Sequence, residues 1–129
     1  MTVLSVQATD YNDNVPIPDR FSKGADIRYH VSFKFKGPDA SYCVKAVGIV
    51  RDSTNTQRQT FNYSEVLSPS NSTIHEWTWD KQVPATPATA TGIAKVIITV
   101  KMYNAALCPD PAGTPQYSGK QNDTFEIVP

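Results

Sequence analysis

Three side chains at alternate positions, His75, Trp77 and Trp79, carry the strongest chemical signal in this chain of 129 residues. In an extended strand, positions two apart point the same way, so these three form one row, with Thr73 ahead of them. An indole offers a broad apolar ring face, and interleaved polar groups supply hydrogen bonds. Together they could stack on a sugar ring and orient it. The same row would serve as core packing or cover a sheet edge, since large aromatic side chains are on average buried. Tyr103, on a separate strand, is a fourth candidate for ligand contact.

Oxygen chemistry is concentrated near the start of the chain, in Asp10-Tyr11-Asn12-Asp13-Asn14-Val15-Pro16. Calcium takes six to eight oxygen ligands, and a turn rich in Asp and Asn presents several at once. Asp10, Asn12, Asp13 and Asn14 are therefore the candidate metal ligands. Without a metal, the same residues form a polar turn by bonding their own backbone. The string is similar to the Asp-Xaa-Asn-Asp-Asn-Xaa-Pro segment between cadherin repeats. That resemblance covers seven residues and implies Ca²⁺ as a cofactor; otherwise no cofactor is expected.

Arg28, His30, Lys34 and Lys36 alternate along another segment as a basic stripe, which Lys95 and Lys101 could extend. Such a face docks sulfated polysaccharide or acidic protein, or is a solvated face balanced by acids elsewhere. Lys+Arg and Asp+Glu both number 12, and this balance argues against a general nucleic-acid or membrane-surface binder.

Catalytic patterns are missing. The chain has no Gly-Xaa-Ser-Xaa-Gly, no Gly-rich phosphate loop and no His-Glu-Xaa-Xaa-His. His30 and His75 are its only imidazoles, and neither His nor Met follows Cys108, as a copper site would require. Glu65, Glu76 and Glu126 suggest no glycosidic pair. A protein that is not an enzyme is expected.

The elements that must position these groups are strands. Val and Ile are abundant and Thr frequent, whereas Leu, Glu and Met are scarce and Pro numbers 10. β-Branched side chains lose rotamer freedom in a helix and pack well on a pleated sheet. Ile27, Tyr29, Val31, Phe33 and Phe35 alternate with polar residues, which predicts a half-buried strand ended by Gly37-Pro38-Asp39. The segment 42–51 reads as a central strand, apolar on both faces, followed by a turn at Asp52-Ser53-Thr54-Asn55. Further strands are predicted over 3–8, 59–67, 73–83, 93–103 and 124–128, with Phe61, Tyr63 and Leu67 inward on the 59–67 run. Pro84–Gly92 and Cys108–Gly119 are long loops.

This pattern predicts one domain over residues 1–129: an all-β, antiparallel two-sheet β-sandwich of about seven strands. Across the whole chain it resembles immunoglobulin-like and fibronectin-III-like domains in outline. A jelly roll or small barrel is the alternative.

Cys43 and Cys108 either form a disulfide or stand as a buried thiol and a loop thiol. Asn62, Asn71 and Asn122 begin glycosylation sequons. The N-terminus has neither a basic region nor a long apolar run, so no signal peptide is expected in this chain, and no segment is apolar enough for membrane insertion. The sequons and a possible disulfide favour an extracellular or cell-surface location. The expected function is a non-catalytic binding or adhesion module that recognises carbohydrate or a protein surface. The rival is a structural, self-assembling subunit of a virion, filament or appendage, for which self-association is the distinguishing property.

Overall fold

Alternation of apolar and polar residues decides which side of each strand is buried. A computed structural model describes residues 2–35, 40–68, 70–86 and 88–129, with the side chains of 70–73 left out. Lys36, the 37–39 turn, Pro69, Pro87 and the side chains of Asn71 and Thr73 lie outside the described residues.

The strands are β1 (Thr2–Thr9), β2 (Arg20–Ser22), β3 (Asp26–Phe35), β4 (Tyr42–Arg51), β5 (Gln57–Leu67), β6 (Ser70–Gln82), β7 (Gly92–Asn104) and β8 (Tyr117–Val128). They form two sheets, ordered β1-β3-β6 and β2-β8-β7-β4-β5. The protein is all-β. The expectation of about seven antiparallel strands needs correction, because β2 is an eighth and pairs parallel with β8. Three residues with one buried side chain, Phe21, are too short to carry a period. β8 also begins earlier than predicted. Its first half, from Tyr117, has no buried row and is held as a strand by its ladder to β7.

The core lies between the sheets. Ile27, Tyr29, Val31, Phe33 and Phe35 of β3 face Val44, Ala46 and Val50 of β4 and Val96, Ile98, Val100 and Met102 of β7. Each large apolar side chain buried there contributes roughly 1.5–3 kcal/mol. β5 and β6 each end their sheet, and no ladder joins them. Aromatic rings fill the opening instead. Phe61 stacks on Tyr29 at 5.1 Å between centroids and meets Trp79 at 4.8 Å. Tyr29 also donates its hydroxyl to Gln59 Oε1 at 3.0 Å, and burial raises the pKa of that phenol.

Gly48 makes this arrangement possible. It pairs with Phe61 across the β4–β5 ladder, and a β-carbon at Gly48 would fall 2.1 Å from Phe61 Cε2. The phenyl ring occupies that space.

Two fastenings secure the loops. Cys43 of β4 and Cys108, which follows a single 3₁₀ turn at Ala105–Leu107, form a disulfide with their Cα atoms 5.4 Å apart. In the chain-entropy model a closed loop of this length stabilises the fold by roughly 4 kcal/mol. At the opposite end of β4, Asp52 accepts hydrogen bonds from the Thr54 amide and hydroxyl, the Arg58 guanidinium and the Ala90 amide. The carboxylate thus ties the β4–β5 turn to the 84–91 connection.

Two predictions follow from these constraints. Gly48→Ala should lower stability in urea by about 1–3 kcal/mol, because the Phe61 ring is trapped between Tyr29 and Trp79. Asp52 is held below the ordinary carboxylate range, first by the Thr54 hydroxyl and then by Ala90 and Arg58, against the opposing effect of desolvation. A depressed folded pKa gives stability that is complete above the unfolded value, about 3.9, and lost as pH falls below it. Asp52→Asn should therefore lower Tm at neutral pH and flatten the decline of Tm below about pH 4.

Candidate functional site

The register that brings β6 beside β3 also sets the direction of the tryptophan row. Tyr29 pairs with Trp79, Val31 with Trp77 and Phe33 with His75, so all three share the core-facing side of their sheet. On the other sheet, Val44, Ala46, Gly48 and Val50 pair with Glu65, Tyr63, Phe61 and Gln59. The two edge strands therefore present complementary rows across an opening. Deep in it, Phe61 and Trp79 close the core. Nearer the rim, Tyr63 stands perpendicular to Trp77, with centroids 4.9 Å apart and an interplanar angle of 88°.

A cleft of about 480 Å³ lies at this rim, lined by Asn62, Tyr63, Glu65, Glu76, Trp77, Thr78 and Trp79. Both tryptophans are half-buried against the core, whereas Tyr63 is 46% exposed despite the expectation that it points into the core. The position faces inward, but at an edge strand its ring meets Trp77 and leaves the rest open. The Trp79 indole N–H donates to the Asn62 carbonyl at 3.4 Å, which fixes the ring's orientation. The strand period puts Tyr63, Glu65 and Trp77 on the inward rows that face this cleft, whereas Asn62, Glu76 and Thr78 border it from the outward faces, Glu76 with its carboxylate on His30.

The structure separates the other two candidates from this cleft. His75 belongs to the row but stacks on Phe33 and Phe35, with centroids at 5.4 and 5.6 Å, and its Nε2 is buried without a hydrogen-bond partner. Tyr103 pairs with Cys43 on the outward side of the five-stranded sheet and is buried there. Asn62, Tyr63 and Glu65 were missed by sequence reasoning. Tyr63 follows Phe61 at the strand period, which was the available signal. That β5 would be an edge strand beside β6 was not readable from spacing.

The Asp10–Asn14 segment is a self-satisfied turn. Asp10 Oδ1 accepts the amides of Asn12 and Asn14 at 2.8 and 3.0 Å, and the Asp10 amide donates to the Asn14 carbonyl. Asp13, at φ 62°, sends its carboxylate to Arg28 Nη1 at 2.9 Å. Among the described residues, no group of three or more His, Cys, Asp or Glu side chains is arranged to hold a metal.

Two members of the basic stripe, Arg28 and His30, face acids. Arg28 makes a two-pronged bond to Asp80 at 2.6 and 3.2 Å, and His30 meets Glu76 at 3.1 Å and the Thr9 hydroxyl at 2.7 Å. These acids lie directly across or diagonal to it on β6. The guanidinium in turn lowers the pKa of Asp80. Lys95 and Lys101 do not extend the stripe, because β7 places them on the outside of the other sheet. Asn62 and Asn122 of the sequons are exposed on that sheet.

No protein-family model and no curated protein matches the chain. Among solved structures it is similar to Spo0M, a sporulation control protein from Bacillus subtilis, with 12% identity and a TM-score of 0.47. The match covers 98% of this chain and 50% of that one, so the chain spans about half that structure's length.

The bonding of the first turn makes it a structural element. Asp10→Ala removes the acceptor of two amides and should cost about 1 kcal/mol in denaturant unfolding. Millimolar Ca²⁺ should leave the Tm of the unaltered protein unchanged; a rise would show that the turn opens to take the ion.

Proposed function

We propose that the protein is a non-catalytic binding module that takes a carbohydrate in the cleft between β5 and β6. The observation that carries this is the Tyr63–Trp77 pair, two perpendicular rings at an open rim bordered by hydrogen-bonding side chains. A sugar ring has apolar C–H faces and a hydroxyl periphery. It matches a site in which two aromatic rings stand beside the Glu65 carboxylate, with further polar residues at the margin. Glu65 accepts hydrogen bonds from sugar hydroxyls and disfavours an anionic sugar, so a neutral or amino sugar fits best.

The frame is read as an immunoglobulin-like sandwich. Its support is the strand order: β1-β3-β6 and β8-β7-β4 correspond to the A-B-E and G-F-C strands of that architecture. A disulfide is the bond of an oxidising compartment, which supports an extracellular or cell-surface setting.

The free edges of β5 and β6, 11 and 13 residues long, favour one alternative. Unpaired edge strands are templates for another chain, so a structural subunit could assemble by edge pairing. Sedimentation separates the two: the binding module stays monomeric as concentration rises, and the structural subunit does not.

A glycan array followed by calorimetry tests the site. The expected result is retention of a neutral or amino-sugar glycan by the unaltered protein. Tyr63→Ala should weaken that binding about tenfold through loss of one ring contact, with little change in Tm. No retained glycan, or equal affinity in the variant, would overturn the proposal.

A further inference from the structure

The outward side of the five-stranded sheet collects five cations. β4 places Lys45 and Arg51 there, and β7 sets Lys101 directly opposite Lys45 and Lys95 directly opposite Arg51. β8 adds Lys120, across from Thr99. Among the described residues, none of these five makes an ion pair. Arg51 donates to the Asn55 carbonyl at 3.1 Å and to no carboxylate. The acid on this side of β8, Glu126, lies at the end of the face and is already paired with Arg20 at 3.9 Å. Asp110 stands on the loop beyond the Cys43 end and forms no ion pair with them.

Like charges directly opposite one another on a sheet are destabilising. The two facing pairs lie six residues apart along the strands, roughly 20 Å, with Lys120 between them on the next strand. In a chain with 12 acids and 12 cations, this face is a local excess of positive charge, while Arg28 on the other sheet is fully paired.

We infer that this face binds a sulfated polysaccharide lying along the strands, independently of the aromatic cleft. Four of the five cations are lysines, compact charges suited to separate sulfate groups rather than to one planar forked anion. Between them stand Thr99, Ser118, Asn122 and Thr124, which can bond sugar hydroxyls. A shallow hollow of about 290 Å³ at Lys95, Ile97, Lys120, Gln121 and Asn122 gives a sulfate a seat. Nucleic acid fits less well. Among the described residues no exposed aromatic ring stands between the cations to stack a base, and a five-stranded sheet is broader than the major groove.

The test is calorimetric titration with heparin at low and high salt, using protein made without N-glycans because Asn62 and Asn122 stand on the same face. Binding is expected at low salt and should weaken steeply as salt rises. Lys95→Glu/Lys120→Glu should weaken it by about tenfold or more. Lys34→Glu/Lys81→Glu, an equal change of charge on the other sheet, should leave heparin binding intact. Desulfated heparin should not bind. No heparin binding, or equal loss in the two double variants, would overturn the inference. Tighter binding of duplex DNA or polyglutamate than of heparin would overturn the choice of polysaccharide. Glycan retention by the cleft, read with Tyr63→Ala, is unaffected by either double variant.

Discussion

The packing of one ring on one glycine governs the open side of this molecule. Two sheets that share no ladder at β5 and β6 need something else to exclude water from the core there. The Phe61 phenyl ring lies where a Gly48 side chain would be, stacked on Tyr29 from the opposite sheet and abutting Trp79. Protein interiors are close-packed, so displacing this ring is felt by both sheets. The same seal leaves Tyr63 and Trp77, one step further out, as partly exposed rings. The cleft is therefore the margin of the core.

Electrostatic organisation is local rather than global. The equal totals of acids and cations conceal two differently treated surfaces. Outside the three-stranded sheet, Arg28 and His30 have acids within bonding distance on β6 and in the first turn. Outside the five-stranded sheet, facing lysines and an arginine have none among the described residues. Buried charge follows a third pattern. Asp52 is enclosed by donors, so its cost of desolvation is offset by hydrogen bonds that hold a turn and a loop together.

The fold was legible where burial is one-sided. The alternation of Ile27, Tyr29, Val31, Phe33 and Phe35 predicts β3 to within a residue, and the doubly apolar 42–51 segment predicts a central strand; β4 is an interior strand, between β7 and the edge strand β5. The three-residue β2, with Phe21 alone in the core, and the polar first half of β8 carry no alternating row in the sequence. The tryptophan row was visible as a row, because period two needs no partner strand. Its partner residues were not visible. Tyr63 reads as core from its own strand and becomes part of a cleft only because β5 and β6 are both edges, a property of topology. The extension of the basic stripe to Lys95 and Lys101 was misread for a similar reason, because β7 lies in the other sheet.

The most direct test of the aromatic cleft as a saccharide site is nuclear magnetic resonance of the two indole N–H groups and the Tyr63 ring during titration with neutral oligosaccharides. Binding in the cleft predicts saturable shifts at Trp77 and Tyr63, a smaller shift at Trp79, whose N–H is already bonded to Asn62, and none at Lys95 or Lys120. Saturable shifts confined to other surfaces, or no shift at these rings with any saccharide, would contradict the account.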